Sequence, residues 1–505
     1  MPFLKMALIH AVIHHKCPEA NRENILAAFR QAGEKKASLV IAPELALSGN
    51  FFCNRHDIAP YVETGNGPTL TELATITRHY GLYACIGLAE HDPGTGIFYN
   101  SAFVLDPAGT VVCRCRKINP ENRWACPGDP KENNTFDTPW GRIGVLIGSD
   151  TYESLLPRIT GLRGANLLMV PANWAPTGIN PKDVWRARAL ENGMSLIACN
   201  RTGMDMVTDY SQAPSVAFDS QGKTFLGQSH QKARVFQAHL PLNSEYRFKA
   251  GQRLRCLVNR NSFDSHACYL SLATIPNLTS YLHLPPAGRL HLVCSVPREN
   301  EDPLIRAQDD FLHPDTTSDT LHVLPAWKYS DVSLDKLRVL CGTSGQKAVV
   351  RRTIEHGFAF HYFDGARQPQ QWEVDTSQNS AAPQMISLDC GPARILIATF
   401  RILVHPEHVL AAAKQGCDLV VISEHSFSPE NRLLSAVRTI DNVATAVCTS
   451  TGGGIWMTPE KDQRWEETLA EPGQACCYVL DTHRTRRKHF QDRLDYETLF
   501  ATYNA

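Results

Sequence analysis

The chain has 505 residues, 43% of them hydrophobic and 20% charged, and its 50 basic side chains against 51 acidic ones leave a formal net charge of −1. That balance gives no whole-molecule electrostatic attraction for nucleic acid or an anionic membrane, and no block of like charges marks an interaction tail. No run reaches the roughly 18 apolar residues of a spanning helix, and 16 cysteines in so long a chain do not make a disulfide scaffold, so a soluble, cytoplasmic protein with free thiols is expected.

Residues 4–10 (LKMALIH) read as a buried first strand, because the apolar run is too short and too broken by His10 for a signal peptide. A helix is expected over 19–32, where Ile25, Phe29 and Ala32 recur at helical spacing. A second buried strand, 38–42, runs directly into Pro43 and Glu44. A helix over 70–79 precedes a strand at 83–88, and a hairpin pairs 99–105 with 110–116 around the turn Asp106-Pro107-Ala108-Gly109. Strands follow at 143–147 and 167–170, then a helix at 183–192 and a strand at 195–199. Interleaved strands, helices and hairpins make the class α/β, with sheets covered by helices.

The second half repeats this order. GRIGVLIGSD (141–150) aligns with GPARILIATF (391–400), and RALENGMSLIACNRTG (188–203) with RTIDNVATAVCTSTGG (438–453), so position 148 meets 398 and 188 meets 438 at the same offset of 250 residues. SLVIAPEL (38–45) pairs more loosely with TLHVLPAW (320–327). A single period of that length predicts a domain duplication rather than a solenoid. The expected organisation is a first domain over 1–265, a linker over 266–288 that closes on Pro285-Pro286-Ala287-Gly288, and a second domain over 289–505.

LVIAPELALSG (39–49) resembles the strand-end glutamate segment of the nitrilase, or carbon–nitrogen hydrolase, superfamily. YNSAFVLDPAGTVVCRCRK (99–117) is similar to its hairpin leading to the lysine, PENRWACPGD (120–129) to its loop with a second glutamate, and GRIGVLIGSD to the strand that ends in the cysteine nucleophile. The resemblance runs in the family's order over about residues 4–240. It implies an α-β-β-α sandwich in each unit and a small-molecule pocket at strand ends that acts on amides, nitriles or carbamoyl compounds without cofactor or metal. It also implies pairing through a helical face, here as an internal pseudo-dimer of the two halves, with further self-association open. In such a site a thiol attacks carbon, a carboxylate (Glu44) moves the proton and activates water, an ammonium (Lys117) stabilises the developing oxyanion, and a second carboxylate (Glu121) orients the lysine. Substrate contacts are expected from Phe51, Trp124, Asp150, Asn173 and Trp174, in or near loops that set specificity.

The sequence departs from the family at the nucleophile, where the position after the strand is Gly148, followed by Ser149 and Asp150. A glycine cannot form the covalent intermediate. Ser149 is a poor substitute, since successive strand residues face opposite ways and no G-x-S-x-G elbow surrounds it. Cys53 and Cys126 lie in loops near the expected pocket, and direct activation of water by Glu44 is a further route. The alternative to all of these is a binding or scaffold protein without turnover. The second half has Ala326, Ala398 and Phe400 at the glutamate, cysteine and acid positions, and mainly glutamines over 368–373 where a lysine would stand. Its Glu424 and His425 read as a structural pair. His10, His14, His15 and Cys17 lack a second ligand set with zinc spacing, and Cys113-x-Cys115 reads as strand packing.

Overall fold

The computed structural model describes every residue except 1, 259, 261–262, 273–274, 313–316, 318, 366, 376–384, 458–463, 491 and 502–505. Residues 1–258 together with 493–505 form one unit, and 259–492 form another.

In the first unit one sheet is ordered β14-β1-β2-β3-β4-β5, with β1 Phe3–His10, β2 Leu39–Ile41, β3 Tyr83–His91, β4 Phe98–Leu105, β5 Val111–Arg116 and β14 Arg234–Pro241. The other is ordered β13-β12-β9-β8-β7-β6, with β6 Thr135–Thr138, β7 Gly141–Val145, β8 Leu167–Pro171, β9 Ser195–Cys199, β12 Ser215–Phe218 and β13 Thr224–Gln228. A small hairpin, β10 Met204–Asp205 with β11 Thr208–Asp209, stands apart from both. The alternation of β1 shows how the layers form: Leu4, Met6 and Leu8 enter a core shared with Ile143, Val145, Leu167 and Met169 of the other sheet. The intervening Ala7 and Ile9 pack against Ile25 and Phe29 of the helix Pro18–Glu34. The helices Leu155–Leu162 and Pro181–Asn192 cover the second sheet, completing α-β-β-α. Strands β1–β2–β3 and β7–β8–β9 are parallel and buried on both faces, which explains their nearly unbroken apolar sequences. The β4–β5 turn forms because the Asp106 carboxylate accepts from the amides of Ala108 (3.0 Å) and Thr110 (2.8 Å).

The second unit has sheets ordered β19-β18-β17-β16-β15-β26 and β20-β21-β22-β23-β24-β25, the same succession of parallel and antiparallel neighbours as the first. In the first of these, β15 is Arg289–Ser295, β16 Thr320–Val323, β17 Lys347–Ile354, β18 Gly357–Asp364, β19 Gln370–Asp375 and β26 Ala475–Asp481. In the other, β20 is Met385–Cys390, β21 Ala393–Ala398, β22 Leu419–Ser423, β23 Ala444–Thr449, β24 Gly452–Met457 and β25 Glu466–Ala470.

The segment expected as a linker belongs to this unit by its packing. Cys268 and Leu284 are buried, Lys414 donates to the Cys268 carbonyl at 2.7 Å, and Arg394 donates to the carbonyls of Leu282 and His283. The C-terminal residues 493–505 group with the first unit, where Asp495 pairs with Arg163 at 2.7 Å and Leu499 is fully buried. Neither feature has a local sequence signature, because each depends on partners more than 100 positions away. Among the described residues, no helix is long and apolar enough to cross a membrane.

Candidate active site

In open α/β sheets ligands gather at the carboxyl ends of parallel strands. Here Glu44 follows β2, Asn173 follows β8 and Gly148 follows β7, while Lys117 is the first residue past β5. The Lys117 ammonium lies between two carboxylates, 2.6 Å from Glu44 Oε1 and 3.0 Å from Glu121 Oε1. Both members of the closer pair are almost sealed, with side chains 4% and 2% exposed, which places this chemistry in a low-dielectric setting.

Several residues without a motif of their own build this triad. Asn100, in the buried strand β4, donates through Nδ2 to Glu44 Oε1 at 2.7 Å and to Glu121 Oε2 at 3.2 Å, and its carbonyl accepts the Lys117 amide. The detectable signal was an asparagine in the middle of a buried strand, where an unpaired amide would be costly. Arg116, just before Lys117, grips buried Glu90 through two hydrogen bonds (3.0 and 2.7 Å) and so fixes the end of β5. Gly87 is required by close approach, since a Cβ there would lie 2.6 Å from the Glu44 Cα.

Burial pushes the Glu44 carboxyl above the ordinary carboxylate range, and the neighbouring Lys117 charge only partly offsets this. Burial also disfavours the charge on Lys117, but the Glu121 and Glu44 carboxylates outweigh it and hold the ammonium above the usual lysine range. For Glu121 burial acts upward, yet Lys117 outweighs it and the net direction is down. One ammonium between two carboxylates therefore leaves Glu44 as the member that takes up a proton first.

Gly148 is not a strand residue. Strand β7 ends at Val145, and 148–151 form a 3₁₀ turn with Gly148 at φ +41°, in the left-handed region. This corrects the expectation that 148 and 149 alternate along a strand: Ser149 is solvent-exposed, its side chain carried away by the turn. The turn is pinned by Thr151 Oγ1 donating to the Gly148 carbonyl (2.7 Å), by Trp185 Nε1 on Thr151 Oγ1 (2.9 Å) and by Arg188 on the carbonyls of Thr151 and Tyr152. A Cβ at Gly148 would lie 2.5 Å from Glu44 Oε2, so the glutamate carboxylate fills the space that a nucleophile's side chain would enter. Cys53 is exposed and Cys126 half-buried, and among the described residues neither is hydrogen-bonded to Glu44 or Lys117.

The other candidates fall in distinct places. The Asn173 amide donates to Glu44 Oε2 at 3.0 Å, while its side-chain amide is buried with no hydrogen-bond partner among the described residues. Trp174 follows, its ring against Trp185 and Tyr152, its backbone clamped at both N–H and C=O by Asn200. Trp124 is buried in a cluster with Phe52 and Phe98, and its Nε1 has no partner among the described residues. Phe51 lies at the surface of this region beneath the Arg123 guanidinium.

Asp150 braces the lysine loop. Its carboxylate is fully buried and accepts the amides of Ile118 and Asn119, both at 2.8 Å. Burial raises its carboxyl to about 6. A folded value above the unfolded one of about 3.9 favours the protonated, folded state, so this group's stabilisation is present below about pH 4 and lost as pH rises to about 6. Wild type is therefore expected to lose up to about 3 kcal/mol relative to Asp150→Asn between pH 4 and 6, read from urea unfolding at each pH.

The corresponding region of the second unit is occupied differently. Ala326 and Ala398 are fully buried, Glu424 forms an ion pair with Arg351, and His425 Nε2 lies 3.2 Å from Thr353 Oγ1. Glu424 and His425 thus have separate partners.

The sequence profile of the carbon–nitrogen hydrolases matches residues 7–250. A nitrilase of Pyrococcus abyssi is 30% identical over 194 residues, which cover 37% of this chain and 70% of that protein. The chain belongs to the carbon–nitrogen hydrolase family. A probable nitrilase of Schizosaccharomyces pombe is 32% identical over 33% of this chain, but the match spans only 62% of that relative's length. The protein N-terminal amidase of Saccharomyces cerevisiae is 32% identical over 23% of this chain and 26% of its own. Among solved structures, Saccharomyces cerevisiae Nit3, a member of the nitrilase superfamily, aligns with a TM-score of 0.43 at 19% identity, over 47% of this chain and 90% of Nit3. In this carbon–nitrogen hydrolase family member, the matched segment contains the whole Glu44–Lys117–Glu121 triad and Gly148.

Proposed function

We propose that the first unit binds a small amide-, nitrile- or carbamoyl-type ligand at the ends of β2, β5, β7 and β8, and that it does not hydrolyse the ligand through a thiol. The observation that carries this reading is the position of Glu44 Oε2 against Gly148, with Lys117 and Asn100 on the other carboxylate oxygen. The polar machinery that would hold a carbonyl is in place, whereas the atom that would attack it is not. The names of several relatives, nitrilases and amidases, support the ligand class. The shared strand order supports an origin of the second unit by duplication, and the expected internal pairing of the two units belongs to the same proposal.

A second reading has one observation in its favour. Among the described residues Glu44 Oε2 accepts a single hydrogen bond, from Asn173, so a lone pair remains on the oxygen of a carboxyl that burial makes more basic than usual. Such a group is suited to activating water directly. Incubation with a panel of amides, nitriles and N-carbamoyl compounds, following ammonia release and ligand-induced thermal shift together, separates the readings. Thermal shifts without ammonia support binding alone. Ammonia release lost in Glu44→Gln supports the water route, and neither signal in wild type rejects both.

A further inference from the structure

The loop that carries Glu44 continues to a second group of buried polar atoms that the triad does not use. Asp205, on the small β10–β11 hairpin, is 2% exposed. Its Oδ2 accepts from Arg201 Nη1 at 2.6 Å and from the Asn50 amide at 3.1 Å, while its Oδ1 has no hydrogen-bond partner among the described residues. His15 Nδ1 lies 3.7 Å from that oxygen. Neither ring nitrogen of His15 has a hydrogen-bond partner among the described residues, and neither does Asn50 Oδ1. Buried polar atoms are paired in the great majority of cases, so a concentration of unpaired acceptors on facing segments marks a place where a donor from outside fits.

This group borders the candidate active site. Asn50 lies on the Glu44 loop, and its Nδ2 faces the Tyr210 hydroxyl at 3.5 Å. Tyr210 packs with Ala175, two positions past Asn173, and feels the Glu44 charge. Asn200, which clamps the Trp174 backbone, directly precedes Arg201. Counting formal charges across both groups, the carboxylates of Glu44, Glu121, Asp150 and Asp205 face the cations of Lys117 and Arg201, an excess of two negative charges. Protonation of Glu44 still leaves the balance negative.

We propose that the ligand is an amide carrying a protonated amine, with the amide at Glu44 and Lys117 and the ammonium between Asp205 Oδ1 and His15. This rests on the ligand-binding reading above and adds the charge of the substrate class. An ammonium supplies three donors to Asp205 Oδ1, a neutral His15 nitrogen and Asn50 Oδ1, and it meets a local field of the right sign. A ligand with a distal carboxylate would bring a third unbalanced negative charge and no donor.

Calorimetric titration of the full-length chain with ω-amino amides from glycinamide to aminovaleramide, with their N-acetyl derivatives and with the matching ω-carboxy amides, tests this. At neutral pH and low salt the best amino amide is expected to bind about tenfold or more tightly than its acetylated and carboxylated counterparts. The preference is expected to fall below about threefold in Asp205→Asn. Because that substitution removes the counter-charge of buried Arg201, His15→Gln is the second variant. It is expected to weaken the amino amide by about threefold or more while leaving the acetylated one unchanged. Equal affinities in wild type, or a preference untouched by both variants, overturns the proposal while the ligand-binding reading stands. If no amide binds wild type this proposal falls, and if no nitrile or N-carbamoyl compound binds either, the ligand-binding reading falls with it.

Discussion

Lys117→Met is expected to cost about 3–5 kcal/mol of stability, because it leaves two neighbouring buried carboxylates without their shared cation. Glu44→Gln is expected to cost only about 1–2 kcal/mol. It removes one of two carboxylates around a single ammonium and leaves a neutral Lys117–Glu121 pair, with one misplaced amide hydrogen facing either Asn173 or the donors on the other oxygen. The order of the two effects follows from counting charges in the triad, and urea unfolding of both variants measures it. Equal losses would mean that the lysine's role is packing of its stem rather than charge. Lys117→Met is also expected to raise both remaining carboxyls, since the ammonium that opposes the effect of burial on Glu44 and Glu121 is gone.

Gly148→Cys is expected to destabilise the chain by about 2–4 kcal/mol rather than simply restore a nucleophile. The backbone at 148 has φ +41°, which a side-chain-bearing residue adopts at a cost, and the added Cβ would displace a carboxylate held by Asn173, Lys117 and Asn100. Gly148→Ala carries the same two penalties without a thiol, so the two variants should agree to within about 1 kcal/mol. Cys17, Cys53 and Cys477 are exposed in every variant, so accessibility of the new thiol is read as one further iodoacetamide adduct in Gly148→Cys than in Gly148→Ala, located to residue 148 by peptide mapping. A cysteine variant as stable as wild type would show that Glu44 moves aside freely, and the idea that it fills the nucleophile's space would be lost.

Much of the first unit was legible because its signals are local. The apolar stretch 38–42 ending in Pro43-Glu44, the turn at Asp106-Pro107-Ala108-Gly109 and the helix face of Ile25 and Phe29 each follow from short-range periodicity or turn chemistry, and the structure has strands, a hairpin and a helix there. Glu44, Lys117 and Glu121 were named from the order of motifs, and they meet in one triad. Asn100 stands out locally only as an amide in a buried strand and Gly87 not at all; their roles exist only once β2, β3, β4 and the Glu121 loop are brought side by side. Asp150, expected to touch substrate, faces two backbone amides, a role set by where the loop after Lys117 happens to pass.

The absence of a thiol at 148 is a fact of the sequence alone, since no folding can supply an atom that residue lacks. The sequence likewise determined the family and the three charged residues, because strand-end motifs survive as short strings. Only the tertiary structure decided what stands in the thiol's place. The turn that ends β7 holds Gly148 in a left-handed conformation, and the crossing of Glu44 over Gly87 carries a carboxylate oxygen to where a Cβ would be. The same packing places Asp205 and His15 beside the Glu44 loop, although about 190 positions of chain lie between them. Distances of that kind arise from sheet order and loop closure, which local sequence does not encode.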